Sequence, residues 1–378
     1  MFGYTDKIIF SPQDVDLDNS PVKQAIDEPT YVLGAFNPGM SRLPNGNILL
    51  MVRVAESLNQ PIVDNTLQII RKDGNQGYIV DEIPASNLNT KDPRKYQLEK
   101  YSPVKVYGLT SFSWILPVEL APDGNEVIKV HYDKILEPEQ NFQEYGVEDA
   151  RITKIGGKYY MTTCSVSSER HCTTLYSSND GLRYNLEGII MDHQNKDMVL
   201  FPRKIDGKYY AMTRPLGSLY FNTPQNSIYN PGPSINLAVS PDLLHWKPLD
   251  KPFIRAKKDS LISMKLGGGA PPFETDEGWL ILFHGVEKQG SVGIYRTFGA
   301  LLDKDNPQKI KYIDENQPIL ESKPELVQDI KDKIYLKNVV FTSGVLGHND
   351  SFIVASGELD LCCRLTYIKK DKIRDLYL

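Results

Sequence analysis

The segment Gly146–Thr153 has the densest group of side chains capable of acid–base chemistry. It reads Gly-Val-Glu-Asp-Ala-Arg-Ile-Thr and places two acids and an arginine at the start of a predicted strand. Because neighbouring strand residues point to opposite faces, Glu148 and Asp149 are not expected to pair, but Asp149 and Arg151 could share one face. An aspartate beside a guanidinium stays ionised unless it is buried, whereas a general acid needs a raised pKa. These residues alone favour a structural ion pair over a general acid.

Four further polar clusters lie at turns or strand ends, where a single cluster is more often a turn or a surface ion pair. Three consecutive glycines, 267–269, would suit phosphate binding, but no strand-to-helix transition with Lys-Ser/Thr follows them. No Gly-x-Ser-x-Gly elbow is present, and neither Cys172 nor His171 has the motif context of a nucleophile. The four clusters are Asn37 with Arg53 and Glu56, Lys204 with Arg214, Gly267–Pro272 with His284 and Glu287, and Glu358 with Asp360.

A self-match indicates the elements that position these clusters. Lys154-Ile-Gly-Gly-Lys-Tyr-Tyr-Met161 recurs as Lys204-Ile-Asp-Gly-Lys-Tyr-Tyr-Ala211, an offset of 50 residues. Each copy predicts a tight turn followed by a buried strand, and each is followed by a second strand that ends in a Ser-x-Asp turn. The repeating unit is therefore a set of short antiparallel strands.

Three other stretches have the same pattern of a turn followed by an apolar strand, which gives five units in all. Periods of about 40 to 70 residues built from short strands are typical of a β-propeller. We therefore predict an all-β fold, a single five-bladed propeller domain over residues 1–378, with polar strand ends directed into an axial channel. The best helix candidate is the short polar segment Pro324–Lys333. The predicted unit starts are Asn45, Gly157, Gly207, Gly278 and Asp350.

Composition excludes several classes of protein. With 40% hydrophobic residues and a net charge of −5 over 378 residues, the chain is neither disordered nor suited to a nucleic-acid partner. No window approaches the roughly 18 apolar residues of a membrane span, and no signal peptide is evident, so we expect a cytoplasmic protein, or a periplasmic one if a signal was removed. Four cysteines, two of them adjacent, favour a reducing compartment, and no ligand spacing indicates a metal site.

In their order along the chain, these clusters resemble glycoside hydrolase family 130, five-bladed propellers that cleave β-mannosides. The similarity runs from about residue 30 to 365. The matching pieces are Asn37-Pro38, Arg53-Val54 with Glu56, Val147–Thr153, Val199–Pro202, Lys204, Arg214-Pro215, Ser240–Trp246, Gly267–Pro272, Gly278-Trp279, His284–Val286 and Asn338–Phe341.

This resemblance implies a catalytic role for Asp149 in place of the structural one. Asp149 stands where the family has its single acid, which acts through a sugar hydroxyl relay. Asn37, Arg53, Arg151 and Asp360 would hold the mannose at the cleaved bond, and Glu56, Lys204, Arg214 and His284 are further substrate-binding candidates. The implied partner is a mannose-containing oligosaccharide, and no cofactor is implied.

The family contains phosphorylases and inverting hydrolases, and the sequence departs from the phosphorolytic pattern. The arginine expected on the strand after the acid is displaced, with Cys172 nearer its place, and Thr213 replaces the histidine of a His-Arg-Pro motif. A phosphate dianion needs several converging cations or N–H donors. We therefore expect an exo-acting inverting hydrolase in which Asp149 is the acid and a carboxylate such as Glu287 activates water.

Two alternatives remain open. Lys204, Arg170, His171 and Arg203 could rebuild an anion pocket, which would make the protein a phosphorylase that releases mannose 1-phosphate, with inorganic phosphate as co-substrate. A catalytically silent carbohydrate-binding propeller is a minor alternative. The polar loop 216–233 is expected to narrow the site or to form a contact between copies in a homo-oligomer. The linkage and the sugar on the leaving side are not encoded in recognisable motifs.

Overall fold

The computed structural model describes residues 4–86, 88–98, 108–191, 194–216, 224, 226–249 and 251–377. Within these residues the regular secondary structure is mostly antiparallel β-strand, as predicted. The strands are β1 (Tyr4–Phe10), β2 (Thr30–Arg42), β3 (Ile48–Leu58), β4 (Ile62–Val63), β5 (Thr66–Asp73), β6 (Gly77–Pro84), β7 (Leu88–Asn89), β8 (Lys95–Leu98), β9 (Gly108–Leu109), β10 (Phe112–Leu120), β11 (Val127–Val130), β12 (Val147–Ile155), β13 (Lys158–Val166), β14 (His171–Ser178), β15 (Asn185–Met191), β16 (Asn195–Leu200), β17 (Tyr209–Pro215), β18 (Tyr229–Ser240), β19 (Lys247–Pro248), β20 (Ile254–Lys257), β21 (Lys265–Gly268), β22 (Phe273–Glu274), β23 (Trp279–Glu287), β24 (Ile294–Leu302), β25 (Ile310–Ile313), β26 (Val340–His348), β27 (Ser351–Glu358) and β28 (Cys362–Lys369).

Helical structure is confined to short pieces. The segment predicted as the best helix is a 3-10 segment that is interrupted by non-helical backbone at Val327 and Ile330. None of the helical segments in the described residues has the length and apolar character that a transmembrane helix requires. The 3-10 segments are Pro12–Asp14, Leu17–Asn19, Tyr132–Lys134, Asn141–Gln143 and Pro324–Lys333, and the α-helix, α1, is Lys370–Arg374.

Five larger antiparallel sheets follow one another along the chain. In each sheet the strands form a linear order of hydrogen-bonded neighbours that starts at one edge strand. Their strand orders are β2-β3-β10-β11 in the first sheet, β12-β13-β14-β15 in the second, β16-β17-β18-β19 in the third, β21-β23-β24-β25 in the fourth and β26-β27-β28-β1 in the fifth. Strands β20 and β22 join the third and fourth sheets at their sides.

The self-match corresponds to equivalent hairpins. Gly157 lies in the turn between β12 and β13, and Gly207 lies in the turn between β16 and β17. The two Ser-x-Asp turns are also equivalent, since Asp180 and Asp242 each accept hydrogen bonds from the backbone amides two and three residues on. The predicted unit starts are thus hairpin turns, and each sheet begins one strand earlier than predicted.

Hydrophobic clusters join each sheet to the next. One cluster packs Met51 of the first sheet against Met161 of the second, and others join the second to the third, the third to the fourth and the fourth to the fifth. The largest cluster packs the first sheet, including Trp114, against Leu365 of the fifth. The contacts between sheets therefore run in a closed circuit, with the edge strands β2, β12, β16, β21 and β26 on its inner side.

An insertion, residues 59–111, interrupts the first sheet. Strands β3 and β10 are hydrogen-bonded neighbours, yet this long segment separates them in the chain. It contains two small sheets, β4-β5-β6 and β7-β8-β9. Leu67, Ile69 and Tyr96 form a small hydrophobic core of its own.

Candidate active site

Three inner strands change register where they present polar side chains. Asn37, Asp149 and Asp197 have φ angles of 48°, 54° and 55°, in the left-handed region that Asn and Asp tolerate better than most residues. The pairing of β2, β12 and β16 with their neighbours shifts at these positions. Such a bulge turns a side chain away from the ordinary alternation of a strand. The three bulges therefore direct polar groups toward the inner end of the ring of sheets.

These residues line a cavity of about 920 Å³, which is within the usual range for small-molecule sites. All five larger sheets and the insertion contribute to its wall. The charged and histidine residues at the wall are Arg53, Asp92, Arg94, Lys95, Glu148, Asp149, Glu169, Arg170, His171, Lys196, Asp197, Arg214, Lys265, His284 and Asp360, and the aromatic residues are Phe36, Tyr145, Tyr295, Tyr335 and Phe341.

Asp149 lies in a polar network at the cavity wall. Its Oδ1 accepts hydrogen bonds from Asn37 Nδ2 at 2.9 Å and from Arg53 Nη1 at 3.1 Å, and Arg53 Nη2 also donates to Glu148 Oε1 at 2.8 Å. Burial would raise the pKa of Asp149, but the charges of Arg53, Arg151 and Lys196 outweigh it and lower the pKa below its usual value. The network therefore holds Asp149 as a carboxylate. The structure brings Asn37, Arg53 and Asp149 together.

Arg151 lies behind this network and does not line the cavity. Its Nε donates to the carbonyl oxygen of Gly269 at 2.6 Å, and its Nη1 donates to the carbonyl oxygen of Asp149 at 2.8 Å. The carboxylate of Asp149 pairs with Arg53 instead of Arg151. The expected ion pair between the Asp149 and Arg151 side chains is therefore wrong, and so is direct contact of Arg151 with mannose: it fixes the backbone under the acid.

A second group of buried charges comes from the third and fourth sheets. Lys196 Nζ donates to Glu148 Oε2 at 2.9 Å, and Arg214 Nε lies 2.8 Å from Asp197 Oδ2. Lys265 faces the same cavity, where its ammonium lies over the ring of Tyr295, and makes no ion pair with any part of the chain that the structure describes. This side of the cavity is therefore rich in cations.

The two histidines of the cavity are neutral at physiological pH. Burial, followed by nearby positive charge, lowers the pKa of His171 to about 3. Burial likewise lowers the pKa of His284 to about 3, despite Asp197 at 3.7 Å. Each ring can therefore donate one hydrogen bond and accept another.

Asp360 closes the cavity on the side of the fifth sheet. It has a φ of 50° in the turn between β27 and β28, and its backbone carbonyl accepts a hydrogen bond from Tyr335 at 2.9 Å. Burial raises the pKa of Asp360, although Arg94 and Arg53 oppose that effect. Arg214, His284 and Asp360 thus lie at the cavity as the sequence predicted.

Three predicted site residues lie elsewhere. Glu287 is at the outer end of β23, where its carboxylate accepts a hydrogen bond from Arg296 at 2.7 Å and lines a separate shallow depression. Its side chain is 36% exposed, against 11% for Asp149. Lys204 is exposed and lies over the ring of Tyr209. Neither residue faces the cavity, so the structure places both away from the site at which the predicted base and ligand would act.

Glu56 is part of the protein core and not part of the site. Its carboxylate is fully buried and accepts hydrogen bonds from Ser20 at 2.5 Å, Thr30 at 2.6 Å and Trp114 at 3.0 Å. These neutral donors consume its lone pairs. Glu56 therefore ties the segment before β2 to the first sheet.

The prediction missed Glu148, Lys196 and Asp197. The register shifts of β12 and β16 place Glu148-Asp149 and Lys196-Asp197 at equivalent points. The offset between these two pairs is 48 residues and not the 50 of the self-match, so extending the self-match along the sequence does not align them. Lys196 lines the cavity, whereas Lys204, the lysine named from the sequence, does not. Of the residues expected to be able to rebuild an anion pocket, Arg170 and His171 line the cavity, and the ring of His171 is neutral there. Residues 217–223 and 225 of the loop 216–233 lie outside the described residues, and its last residues, from Tyr229, belong to β18.

Comparison with known proteins gives the family. A family profile described as beta-1,4-mannooligosaccharide phosphorylase, that of glycoside hydrolase family 130, matches residues 107–377. This chain belongs to family 130. It is 31% identical over 376 residues, 95% of this chain and 93% of the relative, to a beta-1,2-mannobiose phosphorylase of Listeria innocua. It is 30% identical to a 1,2-beta-oligomannan phosphorylase of a Thermoanaerobacter species, over 68% of this chain and 78% of the relative.

A solved structure supports the same placement within family 130. The beta-1,2-mannobiose phosphorylase of Listeria innocua in complex with beta-1,2-mannobiose superimposes with a TM-score of 0.82 and 28% identity, and covers 98% of this chain and 96% of that chain. The described residues contain no group of three or more His, Cys, Asp and Glu that could hold a metal ion. The chain is thus a carbohydrate-active enzyme whose relatives are named as phosphorylases.

Proposed function

We propose that this protein is a β-mannoside phosphorylase that acts on β-1,2-linked mannobiose. An oxygen of inorganic phosphate bonds to the anomeric carbon, the glycosidic C–O bond breaks, and a proton reaches the leaving oxygen, which yields mannose 1-phosphate and free mannose. The names of the relatives and the similarity to the mannobiose-bound structure support this reading over hydrolysis.

The observation that carries the proposal is the row of cations in the same cavity as Asp149. Lys196, Arg214 and Lys265 come from β16, β17 and β21 and face one space. Burial would lower the pKa of Lys196, but neighbouring acidic groups, Glu148 and Asp149 among them, raise it above its usual value, so it stays charged. A phosphate dianion needs such converging donors, and charge-assisted hydrogen bonds in a buried site are stronger than neutral ones.

Bound phosphate would also raise the pKa of Asp149, as the role of general acid requires. Burial would raise its pKa, but Arg53 and the other cations outweigh that effect and lower it. A dianion bound beside Lys196 neutralises part of that positive field and repels the carboxylate, which raises the pKa of Asp149. Phosphate binding would thus favour the protonated state that can donate, through a sugar hydroxyl, to the leaving oxygen.

Glu287, the base predicted for a hydrolytic mechanism, does not face the cavity. Inversion by water needs a second carboxylate placed to activate it, and Glu287 is held by Arg296 outside the cavity. Glu148 and Asp197, which do line the cavity, are engaged by Lys196 and Arg214.

We further propose that the five larger sheets are the blades of one five-bladed propeller domain. The closed circuit of contacts and the placement of the site residues at the inner strands support this arrangement. In it the cavity is the mouth of the axial channel.

Product analysis tests the function. Purified protein is incubated with β-1,2-mannobiose, and in parallel with β-1,4-mannobiose, with and without millimolar phosphate. We expect mannose 1-phosphate from the β-1,2 disaccharide at a rate that rises with phosphate and vanishes without it. Free mannose as the only product, at a rate independent of phosphate, would overturn the proposal. A preference for the β-1,4 disaccharide would leave phosphorolysis intact and overturn the linkage.

A further inference from the structure

The insertion, residues 59–111, runs from the first sheet across the cavity. One end is fixed where the first sheet meets the second. There Tyr78 packs on Phe112, with ring centroids 5.4 Å apart, and Lys72 Nζ donates to Glu137 Oε2 at 3.0 Å. Arg71 lies 3.3 Å from Glu144. With its own hydrophobic core, the insertion is a firmly attached part of the fold.

The other side of the insertion reaches the fourth sheet. The hydroxyl of Ser291, in the turn between β23 and β24, donates to the carbonyl oxygen of Lys91 at 3.3 Å. Burial would raise the pKa of Tyr295, also from the fourth sheet, but the nearby charges of Lys265 and Arg94 lower it, so the Arg94 guanidinium lies close to this residue. The chain therefore crosses from one wall of the cavity to another.

Arg94 is held in one orientation where it meets the cavity. Its Nε and Nη2 donate to the two carboxylate oxygens of Asp92, both at 2.9 Å. The backbone on either side is fixed as well, since Thr110 donates from its amide to the carbonyl oxygen of Arg94 and from its hydroxyl to that of Pro93. Such a bidentate pair is geometrically specific. Both Asp92 and Arg94 line the cavity.

We propose that the Asp92–Arg94 pair is the specificity-determining contact for the sugar on the leaving side of the cleaved bond. This inference rests on the proposed phosphorolysis. Asp149 and Asn37 belong to the inner strands β12 and β2, and Arg53 belongs to the adjacent strand β3, whereas Asp92 and Arg94 belong to the insertion that crosses the cavity. The sugar cleaved at the acid therefore has its neighbour beneath the insertion.

The chemistry of the pair suits sugar hydroxyls better than phosphate. A hydroxyl both donates and accepts, and the pair offers carboxylate oxygens beside guanidinium N–H groups. A phosphate dianion here would face Asp92, whose pKa is lowered because hydrogen bonds and charge from Arg94 outweigh the effect of burial. Lys265, on another wall of the cavity, makes no ion pair with the described residues, and this uncompensated charge favours placing phosphate there.

Kinetics in the synthetic direction test the inference. The variants are Arg94→Ala and Asp92→Asn, and the matched control is Arg71→Ala. Arg71 belongs to the same insertion and pairs with Asp81 at 2.6 Å, but it lies outside this cavity. With mannose 1-phosphate as donor and mannose as acceptor, we expect KM for mannose to rise about tenfold or more in both test variants, while KM for mannose 1-phosphate stays within about twofold. The control should change neither constant.

A leaving group without sugar hydroxyls gives a second readout. Phosphorolysis of 4-nitrophenyl β-mannoside should be nearly unchanged in Arg94→Ala, because this leaving group cannot use the lost contacts. A rise in KM for phosphate or mannose 1-phosphate would overturn the inference and place the anion at Arg94. Unchanged constants in both test variants would also overturn it. Absence of phosphorolysis by the unaltered protein would instead reject the proposed function, so the two failures are distinguishable.

Discussion

At the scale of single residues, the site is defined by how charges are paired. Asp149 accepts hydrogen bonds from Asn37 and Arg53, and the neighbouring Glu148 accepts from Arg53 and Lys196. Replacing one member leaves an unpaired charge in a buried cluster, which costs more than the pair itself contributes. Thermal unfolding of each variant therefore has to be compared with that of the unaltered protein before its kinetics are interpreted.

Asp149→Asn tests the acid. The amide keeps the size of the side chain but cannot deliver a proton, so we expect kcat of phosphorolysis to fall by about 10²- to 10⁴-fold, the usual contribution of a positioned general acid. The measurement is kcat on β-1,2-mannobiose, with circular dichroism and thermal unfolding as controls for the fold. A variant with near-full activity would return Asp149 to a purely structural role beside Arg53.

Lys196→Ala tests whether Lys196, and not the Lys204 named from the sequence, contacts phosphate. Loss of a charge-assisted donor to a buried anion costs about 1.5–3 kcal/mol, so KM for phosphate should rise about tenfold or more. Lys204→Ala is the matched control, because Lys204 is exposed and outside the cavity. Equal effects of the two substitutions, or an effect confined to Lys204, would contradict this assignment of the phosphate contact.

At the scale of elements, strands and turns followed from the sequence, but the bulges did not. The Gly-Gly and Asp-Gly turns and the apolar strands behind them predicted the hairpins at Gly157 and Gly207 correctly. Strict alternation then predicted that Asp149 and Arg151 share a face. The register shift between Glu148 and Arg151 breaks that alternation and sends Arg151 to backbone carbonyls behind the site. A bulge depends on the packing of neighbouring strands, which the local sequence does not encode.

The inner strands also approach one another more closely than a strand pattern suggests. A Cβ atom at Gly39 would lie 2.8 Å from the carbonyl oxygen of Ala150, so β2 and β12 meet there backbone to backbone. This contact brings Asn37 and Asp149 within hydrogen-bond distance. Glu56 was misread as a ligand for a different reason. It lies three residues along β3 from Arg53, which pairs with Phe36 beside the bulge, and position along β3 alone does not distinguish the cavity end of the strand from its core.

At the scale of the whole molecule, the two ends of the chain meet in the fifth sheet. Strand β1 pairs with β28, and Asp6 Oδ1 accepts hydrogen bonds from Arg364 and Thr366. Arg364 is fully buried and also donates to Glu358 at 2.7 Å. Glu358 begins the turn that carries Asp360. The buried polar cluster that joins β1 to β28 therefore also supports the turn that lines the cavity on the side of the fifth sheet.

That shared cluster predicts a dependence of stability on pH. Burial raises the pKa of Glu358 to about 7, from a reference of 4.5, despite the opposing charge of Arg364. A carboxyl whose folded pKa is raised contributes stability that is complete below about pH 4.5 and is lost as the pH rises through about 7. Asp6, whose pKa is lowered because its hydrogen bonds to Lys323, Thr366 and Arg364 outweigh burial, titrates below this window.

Glu358→Gln should therefore flatten the stability profile between pH 5 and pH 8. Urea unfolding of the unaltered protein should give a free energy of unfolding that falls across this range by an amount on the order of 1–3 kcal/mol more than that of the variant. Glutamine can still accept from the amide of Lys323, so a folded variant is expected. Parallel stability profiles would mean that Arg364 keeps Glu358 ionised throughout this pH range. The Glu358–Arg364 ion pair would then not titrate, and the prediction would be wrong.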